Sequence, residues 1–234
     1  MGTLSKKYRS DLVVLLEPRV SGVRAAKIIQ NLGFANSIIE EAVGFSGGIW
    51  ILWNQSSFSV QIIEKDEQLI LVRISIPDKL PFLFTAIYAN PRIEKRKFLW
   101  DELRRLHSTH QEPLLLAGDF NEIISPIEKK GGALADIGRC SEFASVLDDC
   151  QLIDLGSSGP FYTWKGPKFS HLDRVYKRLD REVANTDWRL IFDEAIVKVI
   201  PRILSDHNPI LISLVKDSAA WEEKPFRFFP SWIV

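Results

Sequence analysis

Cysteine is scarce in this sequence. Only Cys140 and Cys150 occur among the 234 residues, and their spacing does not match a zinc-binding pattern. Two cysteines are too few to cross-link a domain of this size, so the chain is not a disulfide scaffold of the kind found in small secreted proteins. We therefore expect two ordinary buried or half-buried thiols, and a reducing intracellular location.

Long hydrophobic runs and an excess of charge of one sign are also lacking. No apolar run approaches the ~18 residues of a membrane-spanning helix, and the opening residues, MGTLSKKYRSD, contain no apolar core of a signal peptide. We therefore predict that the protein is neither secreted nor bound to a membrane. The 30 Lys and Arg residues balance the 30 Asp and Glu residues. Overall charge alone therefore does not indicate a nucleic-acid-binding protein, although a local basic patch is compatible with it.

Strand-like and helix-like segments alternate along the chain. Hydrophobic residues make up 46% of the sequence, which suits one large α/β domain. Apolar runs and two-residue alternation predict strands at 12–16, 37–43, 49–53, 58–64, 68–76, 82–88, 113–117, 161–164, 172–176, 195–200 and 209–215. Helical spacing predicts helices at 23–32, 92–107 (with Phe98, Leu99, Leu103 and Leu106), 137–150 and 181–191.

The arrangement of these segments predicts a fold class and a domain boundary. Hairpin-like pairs of strands with a few interspersed helices favour an α/β sandwich of two mixed sheets over a purely parallel barrel. After residue 215 the pattern gives way to a polar stretch and then to an aromatic tail, PFRFFPSWIV. We therefore predict one domain over residues 1–215, and we interpret residues 216–234 as the beginning of the next segment of a longer polyprotein.

Acidic and amide side chains follow the ends of predicted buried strands. Glu17 follows the apolar run LVVLL, and the segment LLLAGDFNE places Asp119, Asn121 and Glu122 after another such run. Strand ends are rigid positions that deliver side chains into a common cleft. In an extended backbone Asp119 and Asn121 point to the same side, where they can orient a water molecule and hold a phosphate oxygen. The alternatives are a solvated Glu17 and an Asx turn at Asp119.

A histidine with an acidic neighbour precedes the last predicted strand. The segment SDHNP contains Asp206 and His207. A histidine here can act as a general acid or base, because its pKa lies near neutrality. A single histidine is more often structural. The segment KRLDREVAN changes that balance, because it supplies Asp180, which can orient His207 through a hydrogen bond.

Taken together, these segments resemble the endonuclease/exonuclease/phosphatase (DNase I-like) superfamily. GDFNE, RLDR and SDHNP occur in the order found in that family, and the resemblance extends from about residue 11 to residue 215. The segments SGGIWILW, IYANP, EKKGG, FYTW and KRLDREVANTDW resemble the branch found in plant non-LTR retrotransposons. KPFRF, after the last strand, resembles the linker that leads toward a reverse transcriptase in such elements.

The resemblance implies a fold, a cofactor and a set of site residues. The implied fold is a four-layer α/β sandwich, with two mixed sheets face to face and helices outside. The implied cofactor is Mg²⁺, or Mn²⁺. The positions that match the family's motifs are Glu17 and Asp206 at the metal, Asp119 and Asn121 at the attacking water, His207 with its partner Asp180, and Tyr88 at the phosphate. Asp173 occurs in a similar LDR setting, but RLDR followed by VAN and TDW matches the family segment, which favours Asp180.

One part of the family pattern is expected to be absent. Members of the family open with a strand and a turn that carries an Asn, whereas MGTLSKKYRSD resembles the first helix that follows. Without that strand and its Asn, the neighbouring strands lose hydrogen-bond partners, and the metal site loses a polar group. Asn54 lies in a different segment and is not a substitute.

Three functions are compatible with these residues. The first is a Mg²⁺-dependent DNA endonuclease acting in the nucleus, with DNA as its partner and no obligate protein partner. The second is a non-catalytic, retrotransposon-derived relic. The third is a phosphatase of small phosphorylated molecules, which shares the scaffold but is disfavoured by the retrotransposon-like segments.

Overall fold

The computed structural model of the protein describes Tyr8 and residues 10–42, 47–54 and 58–215 of the chain. The predicted tail at 216–234 and the last residue of the strand predicted over 37–43 lie outside the described residues.

Strands and helices alternate in the described residues. The strands are, in chain order, β1 (Leu12–Leu16), β2 (Asn36–Glu40), β3 (Ile49–Trp53), β4 (Ser59–Lys65), β5 (Leu69–Ser75), β6 (Phe82–Tyr88), β7 (Leu114–Asp119), β8 (Lys129–Lys130), β9 (Ile153–Asp154), β10 (Trp164–Lys165), β11 (Tyr176–Lys177), β12 (Asp180–Ala184), β13 (Ile196–Val199) and β14 (Ile210–Ser213). The helices are α1 (Gly22–Leu32), α2 (Ile93–Thr109), α3 (Ile137–Asp149) and α4 (Thr186–Ile191), and a 3₁₀ turn lies at Pro126–Glu128. Among the described helices, none combines the length and apolar character required to cross a membrane.

Six strands form one continuous sheet in the order β4-β5-β6-β7-β12-β9. Neighbouring strands are antiparallel except β6 and β7, which run parallel. A parallel pair requires a crossover connection, and α2 lies in that connection. Because β6 and β7 run in the same direction and end together, Tyr88 is in register with Asp119.

The second β-layer consists of two antiparallel pieces. One is the three-stranded sheet β1-β3-β2, and the other is the pair β13-β14. Within the described residues β1 pairs only with β3, and β14 pairs only with β13. The described part of the second layer is therefore divided, and the outer strands of each piece have no further partner in this part of the chain.

Apolar side chains join the two β-layers and attach the helices outside them. The core between the layers includes Ile51 of β3, Val72 of β5 and Phe84 of β6, with the half-buried Ile212 of β14 against it. The opposite face of the six-stranded sheet is covered by α2 and α3, and the outer face of β1-β3-β2 is covered by α1. This order of helix, sheet, sheet and helix confirms the predicted α/β sandwich. Both cysteines are buried free thiols, as expected.

The helix predicted over 181–191 is wrong for its first half. Residues 180–184 form β12, and helix α4 begins only after Asn185, whose side chain caps it by accepting the N–H of Trp188. β12 lies between β7 and β9, and all five of its residues are buried. Its first three residues, Asp180, Arg181 and Glu182, are charged, so no apolar run marks the strand in the sequence, and strand pairing overrides the local helical propensity.

Two apolar residues of the predicted pattern face solvent. Phe98 is 72% exposed, while its neighbours Leu99, Leu103 and Leu106 are buried. Successive helical residues differ by about 100° in direction, so α2 cannot bury all four on one narrow stripe. Leu172 is 69% exposed, because the strand predicted over 172–176 is confined to Tyr176–Lys177 in β11. With β8 and β10, this short strand forms a small three-stranded sheet.

Candidate active site

The centre of the candidate site is built at one edge of the six-stranded sheet. Asp119, the last residue of β7, is paired with Tyr88 of β6 on one side and with Asp180 of β12 on the other. β6 and β7 approach closely just before this edge. A Cβ at Gly118 would lie 2.0 Å from the carbonyl oxygen of Ile87, and its φ is +145°. Only glycine fits there, so the glycine of the GDFNE segment positions Asp119.

His207 reaches this edge from the loop before β14. Its Nδ1 lies 2.8 Å from Oδ2 of Asp180, and its Nε2 lies 3.9 Å from Oδ2 of Asp119. Burial of the imidazole lowers its pKa. The hydrogen bond and charge of Asp180, together with the charges of Asp119 and Asp206, outweigh this effect and raise the pKa of His207 to about 9. The ring is therefore an imidazolium at neutral pH, with Nδ1–H donating to Asp180.

Asp119 is a buried carboxyl group with another carboxylate beside it. Burial and the neighbouring charge of Asp180 raise the pKa of Asp119 well above its usual range, although the positive charge of His207 and the N–H of Asn121 oppose the change. A carboxyl group with a raised pKa is a better proton acceptor than an ordinary aspartate at neutral pH.

Asn121 meets Asp119 through a turn and not along an extended strand. β7 ends at Asp119, and Asn121 has a φ of +49°. Its backbone N–H donates to Oδ1 of Asp119 (2.8 Å), and its Nδ2 donates to Oδ2 of Asp119 (3.1 Å) and to the carbonyl of Ala89 (2.7 Å). The Asx turn, considered above as an alternative to a functional role, is therefore present. It is also what brings the two side chains together.

Glu17 and Tyr88 form the side of the site nearest β1. Glu17 follows β1 with a φ of +51°, and its carboxylate forms an ion pair of 2.8 Å with Arg19. Burial and the negative charge of the adjacent Glu17 raise the pKa of Tyr88. Tyr88 is therefore a neutral hydrogen-bond donor in this site.

Asp206 lies at the opposite side, next to the short strand β10. Its Oδ2 accepts a hydrogen bond from Nε1 of Trp164 at 3.2 Å. Its negative charge acts on both His207 and Arg19, so the loop before β14 and the end of β1 face the same cleft. Asp173, the competing partner for His207, is exposed in the loop between β10 and β11.

The carboxylates of the site fit a hard divalent cation. Side-chain atoms of Asp119, Asp180 and His207 lie within 4.8 Å of one another, and the charges of Glu17 and Asp206 also reach this cluster. The imidazolium of His207 has no lone pair, so the carboxylate oxygens are the groups that could be ligands. Carboxylates are the ligands that Mg²⁺ and Mn²⁺ prefer. Burial and the charge of Asp180 both disfavour the ionised form of Asp119. A bound cation would favour that form.

A buried ion pair behind the site was not anticipated from the sequence. Arg96 of α2 donates to Glu122 at 2.6 Å and to the carbonyls of Asn90 and Pro91 at 3.0 and 3.1 Å. Gln68 accepts the N–H of Asn90 on its Oε1 (2.7 Å). These contacts hold the loop whose Ala89 carbonyl receives Asn121. The only indication in the sequence is that Arg96 occupies a position of α2 that helical spacing places on the buried face.

A half-buried histidine bonded to a buried aspartate, beside a second buried aspartate at the edge of an α/β sandwich, is a site suited to acid–base chemistry. The chain belongs to the endonuclease/exonuclease/phosphatase family, whose model matches residues 3–207. A comparison with curated protein sequences finds no significant match.

Solved structures of low sequence identity share the fold. The endonuclease domain of TRAS1, a telomere-specific non-LTR retrotransposon, is 14% identical with a TM-score of 0.65, and the match covers 90% of this chain and 88% of that one. The AP endonuclease LMAP from Leishmania major is 14% identical with a TM-score of 0.69, covering 89% and 79% of the two chains. A 3′ phosphatase, NExo, from Neisseria, bound to a product DNA hairpin, is 16% identical with a TM-score of 0.61, covering 90% and 91%.

Proposed function

We propose that this protein is a divalent-metal-dependent phosphodiester hydrolase that cleaves DNA internally, as a retrotransposon endonuclease does. The observation that carries the proposal is the hydrogen bond between His207 and Asp180, 2.8 Å long, beside the buried Asp119. Structures of similar fold include a retrotransposon endonuclease domain and a 3′ phosphatase bound to a product DNA hairpin. The proposed place of action is the nucleus, and the proposed catalytic domain ends near residue 215.

In the proposed reaction, His207, Asp119 and Asn121 each have a separate task. The imidazolium of His207 is held by Asp180 through Nδ1, which leaves Nε2 free to donate a hydrogen bond or a proton to a phosphate oxygen. Asp119, with its raised pKa, is the group suited to take a proton from the attacking water. Asn121 orients that carboxyl group through two hydrogen bonds.

The remaining site residues are proposed to bind the phosphate group and the cation. Tyr88 is a neutral phenol beside Glu17 and can donate to a phosphate oxygen. Glu17 and Asp206 are the proposed holders of Mg²⁺ or Mn²⁺. When bound, the cation would stabilise the negative charge that develops on the non-bridging oxygens.

We further propose that the chain of 234 residues has low activity by itself. Glu17 follows β1, an edge strand in the described part of the second layer, and its carboxylate is paired with Arg19. A ligand on a poorly supported strand is displaced easily, and small displacements are costly to catalysis. A protein with no activity at all would correspond to the non-catalytic, retrotransposon-derived relic considered above.

Nicking of supercoiled plasmid DNA tests the proposed function. We expect slow conversion to the open-circular form with Mg²⁺ or Mn²⁺, none with EDTA, and none with the His207→Ala variant. Faster hydrolysis of p-nitrophenyl phosphate than of plasmid would instead support the small-molecule phosphatase. Absence of nicking at high enzyme concentration, by a folded protein under every metal condition, would favour the relic.

A further inference from the structure

Thr163 is a buried polar residue to which the proposed reaction assigns no role. It precedes β10 and is 1% exposed. Its hydroxyl oxygen accepts the backbone N–H of Leu179 at 3.0 Å and that of Asp180 at 2.9 Å. One side-chain oxygen therefore holds the chain at the point where it enters β12 and where Asp180 begins.

The backbone of the same residue holds the loop that carries His207. The carbonyl oxygen of Thr163 accepts the N–H of Asn208 at 2.7 Å. The next two residues extend the contact, because Trp164 forms an antiparallel bridge with His207, and the N–H of Lys165 donates to the carbonyl of Asp206 at 2.9 Å. The segment 163–165 thus lies between the two chain segments that supply the histidine and its aspartate.

We propose that Thr163 is a positioning residue that sets the separation of Asp180 and His207. Asp180 and His207 are 27 positions apart in the chain and approach within 2.8 Å. Within the described residues, Thr163 is bonded to both of their segments, through its side chain to one and its backbone to the other.

The side-chain contribution can be removed with little change of shape. Thr163→Val keeps the volume but leaves the N–H groups of Leu179 and Asp180 without their acceptor, and an unsatisfied buried donor is costly. The start of β12 must then shift or open to water. A shift of a fraction of an ångström at Asp180 is enough to weaken its bond to His207 and to slow the reaction.

A matched control lies in the same six-stranded sheet. Thr85 of β6 is fully buried, and its hydroxyl has no hydrogen-bond partner in the described structure. Thr85→Val is therefore the same chemical change, without the loss of an accepted hydrogen bond. It should leave the active site as it is.

The experiment compares Thr163→Val, Thr163→Ser and Thr85→Val in the full chain. We expect Thr163→Val to speed amide hydrogen exchange at Leu179 and Asp180 about tenfold or more. We also expect it to weaken the downfield Nδ1–H proton signal of His207, which His207→Ala identifies. Because the role of Thr163 in catalysis rests on the proposed nuclease function, nicking is measured separately, and kcat should fall roughly 10–100-fold with KM nearly unchanged. Thr163→Ser, which keeps the hydroxyl group, should show wild-type values of hydrogen exchange, of the Nδ1–H signal and of kcat.

The outcomes separate the positioning role from the function. If the wild-type protein nicks no DNA, the exchange and Nδ1–H measurements still test the positioning role. An unchanged Nδ1–H signal in Thr163→Val would overturn the proposal, as would equal losses in Thr85→Val. If Thr163→Val does not fold, Thr163→Cys, whose thiol is a weak acceptor, should give intermediate values. Wild-type behaviour of that variant would contradict the proposal.

Discussion

The two β-layers of the sandwich differ in how completely their strands are paired. The six-stranded sheet is continuous, whereas the described part of the second layer is divided between β1-β3-β2 and β13-β14. Asp119 and Asp180 lie on adjacent interior strands of the continuous sheet. Glu17 follows β1 and His207 precedes β14, and both are edge strands in the described part of the divided layer. Asp119 and Asp180 therefore lie on strands that are paired on both sides, whereas Glu17 and His207 lie beside strands that are paired on one side only.

The largest effect is expected on the continuous sheet. Asp180→Asn keeps the size of the side chain but removes the charge that stabilises the imidazolium of His207, so nicking should fall by roughly 10³–10⁴. Asp173→Asn is the matched control and should have no effect, because Asp173 is exposed in a loop. Equal losses in the two variants would mean that the pairing of Asp180 with His207 is not used in the reaction.

The same pair predicts a pH dependence. The pKa of His207 is raised to about 9, so the imidazolium and any activity that depends on it are present at neutral pH and are lost as the pH rises through about 9. In Asp180→Asn, this loss should move to lower pH. A pH–rate profile in metal-saturated buffer measures both limits. A profile that falls at the same pH in both proteins would assign the titration to another group.

The second effect is expected from completing the divided layer. Adding an amino-terminal strand of alternating apolar residues that ends in Asn should supply partners for open edges and a polar group at the site. We expect nicking to rise roughly 10²–10³-fold. A second extension, identical except that it ends in Ala, serves as the control. It would still pair with the open strand edges but would not supply the polar group of the Asn. If neither extension changes activity or thermal stability, the interruption of the second layer is of no consequence.

The third effect concerns the face where the two layers meet. Glu182 lies on the same face of β12 as Ala184, a member of the core between the layers. It is 1% exposed, and neither carboxylate oxygen has a hydrogen-bond partner in the described structure. On the other face of the strand, Arg181 is paired with Glu128 and Asp154. Burial raises the pKa of Glu182 to about 8, against the opposing charge of Arg178.

The raised pKa of Glu182 makes stability depend on pH in a defined direction. The unfolded chain releases this proton near pH 4.5 and the folded chain near pH 8, so stability is lost as the pH rises between these values. Glu182→Leu should therefore unfold at a higher temperature than the wild-type protein at pH 8. The expected gain is about 6–12 °C, for roughly 3 kcal/mol, and it should be smaller at pH 5. Glu64→Leu, on the half-buried edge strand β4, is the control. A gain that does not change between pH 5 and pH 8 would rule out the carboxylate as its cause.

Sequence patterns performed best where the residues of an element are apolar. β1, β3 and β6 lie close to their predicted ranges because their continuous apolar runs indicate buried strands, and α3 does so because of its helical spacing. β12 was predicted as part of a helix because its sequence, DREVA, shows no apolar run or alternation. Phe98 was grouped with the buried face of α2, because its neighbours in the helical pattern are apolar.

Some residues of the candidate site could be predicted from the sequence and others could not. The segments GDFNE and SDHNP identified Asp119 and His207 as residues able to carry chemistry, since one follows and the other precedes an apolar strand. Asp180 was identified as a partner for His207 and from the resemblance of RLDR to the family segment. Thr163, Arg96 and Glu182 carried no such signal, because a single polar residue in an apolar pattern does not show what it contacts.

The sequence by itself determined the residue types of the site, the alternation of strands and helices, and the family. The sequence also favoured Asp180 over Asp173 as the partner of His207, and the tertiary structure shows that contact at 2.8 Å. Only the tertiary structure decided that an Asx turn joins Asn121 to Asp119. It also decided that, in the described residues, the strands of one layer form a continuous sheet and those of the other form two separate pieces. These properties depend on contacts between residues far apart in the chain. Such contacts are set by strand pairing and by the shape of the packed core, and local sequence patterns do not record them.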